Sequence, residues 1–386
     1  MLFPMGPRFG LGFGNLYLAT LLTLIWIVAW GVFVFAGPRG GLVLGTNMQR
    51  AVFFYWAFLI LEIVLFFSKL AEEQVYLLRG VQFLAYMALF ITVSSLRLDT
   101  EVPKALARFS AVVLLVECII AWSGRETQMH GFIAGTFDGE HNSFAAYVVL
   151  VISIVGAYAV IATKGILRVG LILLVALGVA SIAYSFSRSG YLAVVVCCLA
   201  FVHRVRGKKG LVFALAVLTI LLCIAAAIVP QEMRDRFGSI LEAASGREVD
   251  ISYSSRLLMW KDALEDFVRS GFLGVGIYSY YVLDNYFVRA LAETGIAGFL
   301  LVVWTTAAIL LWLYRAADRE TDPELKAIMI GLYTGTIGLL LVMNMAVDIF
   351  LVHRVMGIYW ILLGTVVAAT REPPMPRAIR RPERHA

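Results

Sequence analysis

The chain has 386 residues, of which 61% are hydrophobic and 15% are charged, and its mean hydropathy is +0.86. Soluble globular domains carry more charged residues, so this composition excludes that class and indicates a polytopic membrane protein. The formal net charge of +6 lies in short connections and a C-terminal tail beside apolar segments, so it indicates membrane topology and no nucleic-acid partner.

Unbroken apolar runs predict an all-α fold of about 11 to 12 transmembrane helices. A transmembrane β-barrel would instead show alternating residues in segments of about ten. All cysteines of the chain lie in apolar runs, with no disulfide framework and no zinc-binding spacing. In chain order, the predicted spans are residues 16–36, 51–67, 75–95, a short run at 109–122, then 143–162, 167–184, 190–203, 211–229, 295–314, 327–345 and 349–369.

One long hydrophilic stretch, residues 230–294, separates two groups of spans. We expect an N-terminal transmembrane bundle of about eight helices in residues 1–229 and further transmembrane helices in residues 295–370. Residues 371–386 form a basic tail. The stretch 230–294 is then a large loop, in which residues 253–270 have the periodicity of an amphipathic helix.

Lysine and arginine residues set the expected orientation. If the spans alternate in direction, the basic connections 97–108, 204–209 and 315–326 lie on the same side as the tail. The positive-inside rule makes that side cytoplasmic, so the large loop faces outward. The N-terminus also faces outward if the first two spans are as predicted.

Two polar motifs lie on this outward side before and between spans. The first, GTFDGEHNSFAA at residues 135–146, carries His141 and Asn142. The second, YSFSRSGYL at residues 184–192, places Arg188 between two spans with almost no loop. An arginine at this depth either snorkels to the headgroups, caps a helix end, or faces a polar cavity. The small hydrogen-bonding residues on either side of it, Ser187 and Ser189, favour the cavity.

Within the large loop, the predicted amphipathic helix begins near Ser254 or Ser255, each of which is a plausible N-cap. Arg256 lies one turn before Trp260, so both side chains project from the same side of this helix. The helix can equally rest on the membrane surface. The residues that form its apolar face are Leu257, Trp260, Ala263, Leu264, Phe267 and Val268.

Glycines at positions 271, 274 and 276 end that helix, and the chain continues into LDNYFVRALAETGIAGF at residues 283–299. Asp284 is expected either to cap the helix that follows or to serve as a catalytic group. Arg289 and Glu293 are spaced to form an i, i+4 salt bridge. Further along, Asn344, Asp348, His353 and Arg354 either line the same cavity or form a polar cluster between helices.

Taken in order, the motifs GTFDGEHNSFAA, YSFSRSGYLAVVV, SSRLLMWKDAL, GFLGVG and DNYFVRALAETGIAGF resemble the O-antigen ligase and O-antigen polymerase superfamily. The resemblance spans roughly residues 135–299. It implies a C-type glycosyltransferase-like fold with one large periplasmic loop, in the bacterial inner membrane. It also implies direct, inverting transfer from an undecaprenyl-diphosphate-linked glycan donor to a glycan acceptor, with no nucleotide sugar.

The resemblance also implies site residues. Arg188 and Arg256 match two family arginines and would bind the diphosphate and stabilise its departure, which suits a forked cation that is always protonated. Ligases typically carry His-Asn after the glycines, whereas this chain carries Asp284 and Asn285. An aspartate is more similar to the polymerases, and it would act as the base for the acceptor hydroxyl.

His141 is a second candidate base, or else a histidine at the membrane interface. We expect catalysis by Asp284, Arg188 and Arg256. Expected substrate contacts come from His141, Asn142, Ser187, Ser189, Trp260, Asn285 and Arg289.

The sequence therefore favours a polymerase of lipid-linked repeat units. The alternatives are a ligase that transfers the glycan to lipid A core or another acceptor, and a polysaccharide transporter or flippase. The expected partners are the lipid-linked donor, the glycan acceptor, which is a second repeat unit or lipid A core, and membrane lipids. No cofactor and no metal are expected, because the acidic pair Asp138 and Glu140 is not a metal-binding Asp-x-Asp motif and a lipid diphosphate donor requires none.

Overall fold

The computed structural model describes residues 8–11, 14–17, 42–66, 74–124, 133–137, 140–228, 251–277, 279–280, 283–349 and 352–370. Its elements are an antiparallel hairpin of β1 (Arg8–Leu11) and β2 (Gly14–Tyr17), followed by helices. The helices are α1 (Asn47–Leu65), α2 (Gln74–Ser95), α3 (Glu101–Ser123), α4 (His141–Ile161), α5 (Gly165–Ser185), α6 (Arg188–Ile228), α7 (Ile251–Arg269), α8 (Tyr286–Arg319), α9 (Pro323–Thr336) and α10 (His353–Ala369).

In the described part of the chain, seven helices are long and apolar enough to cross a membrane. They are Asn47–Leu65, Glu101–Ser123, His141–Ile161, Gly165–Ser185, Arg188–Gly210, Tyr286–Arg319 and Pro323–Met345, and two shorter apolar helices are Gly80–Ser95 and Val355–Ala369. The fold class is confirmed: this is a polytopic helical membrane protein. Most of the expected first span lies outside the described residues, and its first two residues, Leu16 and Tyr17, are in β2.

Several expected boundaries were wrong. The run expected to be short is the full-length helix α3, because its polar first turns continue the helix. The break expected between residues 190–203 and 211–229 is present, because α6 is interrupted at Gly207, where φ is 67°. The span expected at residues 327–345 begins earlier, at Pro323. It ends as a π-helical segment, Ile337–Val342, and a 3-10 turn, Met343–Met345.

Helix α4 lies at the centre of the bundle and contacts α3, α5, α6 and α9. Its residues are buried on nearly every face, as expected for a helix that is apolar all round. Close packing on α9 depends on Gly331, where an added Cβ would lie 2.4 Å from the Cα of Ile154. By contrast, few residues of α5 and of the described first part of α6, Arg188–Gly210, are buried, so these segments lie at the periphery.

Ion pairs join three of the basic connections at one end of the bundle, which we call the basic end. Lys104 Nζ lies 2.6 Å from Asp322 Oδ2, and Arg108 lies 2.6 Å from Glu324. Arg204 pairs with Asp318 at the end of α8. These contacts place the connections 97–108, 204–209 and 315–326 on one side, as alternating spans require. The opposite end, where α4 and α6 begin, is called the site end.

Candidate functional site

A broken helix forms the centre of the candidate site. In α8, Gly295 has a φ of 65°, which interrupts the helical hydrogen bonding and separates a half-helix, residues 286–294, from the membrane span that follows. Val275 N and Gly276 N donate to the carbonyl oxygens of Ala292 and Glu293 at 3.0 and 2.9 Å. The loop with the sequence GFLGVG therefore satisfies carbonyl groups that the break leaves without helical partners.

Two glycines permit this close approach. Gly274 has a φ of 88°, and a Cβ at that position would lie 2.4 Å from Glu293 O. Gly295 faces the same loop, and its Cβ would lie 2.5 Å from the carbonyl carbon of Leu273. Only glycine fits both the backbone angle and the space at these two positions.

The half-helix bends back toward α1. The hydroxyl groups of Tyr55 and Tyr286 are hydrogen-bonded, while a Cβ on Gly298 would lie 3.0 Å from the Phe58 ring. Tyr55 and Phe58 lie on the same turn of α1. A continuous helix would separate Tyr286 from Gly298 by about 18 Å, so the break at Gly295 brings the start of the half-helix into the bundle.

An ion pair lies at the start of the half-helix. Arg256 Nε is 2.8 Å from Asp284 Oδ2, and each side chain is about one-third exposed. Asn285 is the N-cap, and its Oδ1 accepts from Phe287 N and Val288 N at 3.0 and 3.2 Å. The expectation that Asp284 caps the helix was wrong, since the neighbouring amide has that role and Asp284 pairs with Arg256. This pair is open to solvent and therefore to a ligand.

Arg289 is buried and held by several partners. Its side chain pairs with Asp348, donates to Tyr280 O, and lies 3.6 Å from Glu293 Oε1. Glu293 Oε1 also accepts from Tyr280 N at 3.0 Å. The expected pair with Glu293 is present. The pairing with Asp348 was not anticipated, because 59 residues separate the two in sequence. Arg289 thus fastens the half-helix to the connection before α10.

Tyr280 links the same loop to α7. Its hydroxyl donates to Asp266 Oδ2 at 2.7 Å. Burial, together with this hydrogen bond, raises the pKa of Tyr280 above its ordinary value, so the hydroxyl keeps its proton. The loop between α7 and α8 is therefore fixed to both helices by side-chain contacts.

Helix α7 begins at Ile251, earlier than expected. Ser254 and Ser255 therefore lie within the helix, and the expectation that either is its N-cap was wrong.

The predicted apolar face of α7 has two parts. Ala263 and Phe267 are buried against Leu283 and Ala292, with Trp260 packed beside them. The remaining members of the predicted face stay exposed: Leu257, Leu264 and Val268. With Trp260, Lys261, Glu265 and Arg269 they line an open groove of about 650 Å³.

A second polar cluster lies where α4 and α6 begin. Ser187 Oγ donates to Asn142 Oδ1 at 2.7 Å and lies 3.3 Å from Ser189 Oγ. Phe186, with a φ of 56°, makes the tight turn between α5 and α6. Arg188, partly exposed, is the first residue of α6, and His141 is the first residue of α4. The structure thus brings Asn142, Ser187 and Ser189 of the two polar motifs into contact, next in sequence to His141 and Arg188.

Glu117 supports this cluster and was not predicted. This buried carboxylate of α3 accepts from Thr136 N at 3.2 Å and from Thr136 Oγ1 at 2.7 Å. A Cβ on Gly135, which has a φ of 53°, would lie 2.8 Å from Glu117 Oε2. The sequence feature that could have identified Glu117 is the position of a carboxylate inside an apolar run. Its contacts position the segment that precedes His141, while Asp138 lies outside the described residues.

The 3-10 turn Met343–Met345 contacts both α6 and α8. Asn344 Oδ1 accepts from Ile349 N at 2.9 Å. Asp348, expected either to line the cavity or to join a polar cluster between helices, pairs with Arg289. The side chains of His353 and Arg354 lie outside the described residues. No group of three or more His, Cys, Asp or Glu side chains that could hold a metal ion occurs in the described part of the chain.

In a comparison with family models, residues 172–303 match the model described as O-antigen ligase. This segment is similar to the O-antigen ligase family. The expected superfamily is thereby confirmed, and the match supports a membrane enzyme of O-antigen or related glycan assembly. No curated protein matches the chain.

The matched segment covers about a third of the chain and contains most of the candidate site. Arg188, Arg256 and Asp284 lie within it. His141 and Asp348 lie outside its bounds but contribute to the same end of the bundle. Part of the candidate site therefore comes from elements beyond the matched segment, because Asp348 pairs with Arg289 inside it.

Proposed function

We propose that this protein transfers a glycan from an undecaprenyl-diphosphate carrier to an acceptor sugar hydroxyl at the periplasmic face of the inner membrane. The observation that carries the proposal is the accessible Arg256–Asp284 pair at the start of the half-helix, inside the matched O-antigen ligase segment. An exposed ion pair contributes about 0.2–1 kcal/mol to stability. Such a small contribution to stability does not account for this pair. A role in catalysis does account for it.

The proposed reaction is a single displacement. The acceptor hydroxyl oxygen attacks the anomeric carbon and its proton passes to the Asp284 carboxylate. The bond from the anomeric carbon to the diphosphate oxygen breaks with its electron pair, so negative charge develops on the departing diphosphate. Arg188 and Arg256 contact that diphosphate and stabilise the charge. The configuration at the anomeric carbon inverts, and no metal ion takes part.

The contacts suggest distinct tasks for the other predicted residues. Asn142, Ser187 and Ser189 form a polar wall beside Arg188, which suits sugar hydroxyl groups. Trp260 lies on the groove side of α7 and offers an aromatic face to the glycan. Asn285 and Arg289, expected to bind substrate, act through the half-helix that they cap and fasten.

Polymerisation is the preferred form of the reaction, with a second lipid-linked glycan as acceptor. It rests on Asp284, which stands where the ligases typically carry histidine. The ligase reaction, with lipid A core or another acceptor, is the second candidate, because the matching family model is described as O-antigen ligase.

A deletion strain tests the proposal and separates its two forms. Surface glycans and undecaprenyl-linked glycans are measured by mass spectrometry with and without the gene. Surface glycan reduced to single repeats supports the polymerase, whereas long chains retained on the undecaprenyl carrier support the ligase. An unchanged glycan profile contradicts both. Complementation with Arg188→Ala, Arg256→Ala or Asp284→Ala must fail while each variant remains inserted in the membrane.

A further inference from the structure

A groove of about 360 Å³ lies at the basic end, on the far side of the bundle from the candidate site. One wall is the start of α1, at Asn47 and Met48. The other is the last part of α8, where Trp304, Leu311 and Arg315 share one helix face. The groove takes no part in the reaction proposed above.

The charged side chains that line the groove are all positive. Arg315 and Arg319 are exposed and one turn apart, and both line the groove, while no carboxylate is among its lining residues. No ion pair is formed by either arginine with another residue in the described part of the chain. The N-terminus of α1, which carries partial positive charge, lies on the opposite wall. The groove therefore presents cationic groups that an anion would complement.

The apolar part of the groove continues toward the middle of the membrane. Trp304 and Leu311 are 42% and 53% exposed. The Trp304 ring stacks on Phe54 with 6.1 Å between ring centroids, and Phe54 is itself 52% exposed. An acyl chain that follows this surface would start at the two arginines and run along the tryptophan ring. The apolar surface along Leu311 and Trp304 matches the acyl chain of a phospholipid, and the two arginines match its anionic headgroup.

We propose that this groove binds an anionic phospholipid, with its phosphate at Arg315 and Arg319 and an acyl chain along Leu311 and Trp304. Basic pockets between transmembrane helices on the cytoplasmic side are a recurring way to bind anionic headgroups. The bound lipid lies between the start of α1 and the end of α8, so it connects the two helices that also meet at the half-helix of the candidate site.

Native mass spectrometry of the purified full chain tests the proposal. The protein is stripped of lipid in neutral detergent and titrated with phosphatidylglycerol or with phosphatidylcholine of the same acyl chains. Each juxtamembrane arginine is expected to contribute about fivefold, so phosphatidylglycerol binds about 25-fold more tightly. The variant Arg315→Gln/Arg319→Gln reduces this preference to less than threefold, while Arg315→Lys/Arg319→Lys keeps most of it.

A matched control removes charge elsewhere at the basic end. Lys164 and Arg168 are exposed at the start of α5, and Lys164→Gln/Arg168→Gln should keep the lipid preference of the unmodified protein. The proposal is overturned if the Arg315→Gln/Arg319→Gln variant prefers phosphatidylglycerol as strongly as the unmodified protein does. It is also overturned if the control variant loses this preference to the same extent. Displacement of phosphatidylglycerol by inorganic phosphate at millimolar concentration would also overturn it, since the acyl chain would then contribute nothing.

Discussion

Neutralising Asp348 tests the difference between a structural and a catalytic ion pair. The side chains of Arg289 and Asp348 are 5% and 7% exposed, in contrast to 35% and 31% for Arg256 and Asp284. Removing one partner of a buried pair leaves an uncompensated charge and costs about 3–5 kcal/mol. Glu293 remains 3.6 Å from Arg289, so we expect Asp348→Asn to cost about 3 kcal/mol, near the lower limit.

The comparison variant is Asp284→Asn, for which the expected cost is about 1 kcal/mol or less, because its pair is partly solvated. Unfolding in detergent is followed by tryptophan fluorescence for both variants and for Arg289→Gln/Asp348→Asn. The double variant should recover part of the stability lost by Asp348→Asn, because it no longer leaves the arginine charge buried. A coupling of about 1–3 kcal/mol between the two positions is expected.

Two results would refute this reasoning. One is a loss of stability in Asp348→Asn no greater than that in Asp284→Asn. The other is strict additivity of the Arg289 and Asp348 substitutions, since the two charges would then not interact across the 59 residues that separate them. Either result would remove the anchor proposed for the half-helix.

Three further predictions concern the site and the basic end. Asp284→Asn should lower glycan transfer by about 10²–10⁴-fold with the protein still folded, and near-normal transfer rates would exclude Asp284 as the base. Gly274→Ala should destabilise the protein by about 1–3 kcal/mol, because its φ is 88° and the new Cβ meets Glu293 O; unchanged thermal unfolding would contradict the docking of the glycine loop. Burial alone would raise the pKa of Asp322, but its bonds from Lys104 and backbone N–H groups lower it. Asp322 therefore stabilises the folded state above its unfolded pKa of about 3.9, and this contribution is lost as pH falls through the lower folded value. Asp322→Asn should show a smaller loss of stability than the unmodified protein on acidification below about pH 4, and an identical loss would contradict this.

The sequence predicted most of the fold, because apolar length and glycine breaks are local signals. The break at Gly295 coincides with the expected start of a span, and α4, α5 and α7 lie within a few residues of their predicted bounds. The errors in the predicted helix bounds occurred where a helix continues from its apolar part into polar residues. Helix α3 begins in a charged turn, and α8 extends to Arg319 beyond its apolar part.

The candidate site was only partly predictable from the sequence. Asp284 and Arg256 were both singled out, but their direct pairing depends on how α7 packs on the half-helix. The choice between Asp284 and Asn285 as N-cap depends on a single residue of register, which sequence preferences do not resolve. The contact of Arg289 with Asp348 depends on the bend at Gly295, and no local pattern signals it.

The most direct test of the central claim is glycan transfer by the purified, reconstituted protein. An undecaprenyl-diphosphate-linked glycan serves as donor, a second lipid-linked glycan or lipid A core serves as acceptor, and products are measured by mass spectrometry. We expect a lengthened or ligated glycan and released undecaprenyl diphosphate. Arg256→Gln and Arg188→Gln should lose this activity, while Lys164→Gln/Arg168→Gln keeps it. Transfer by both single arginine variants at the unmodified rate would contradict the account.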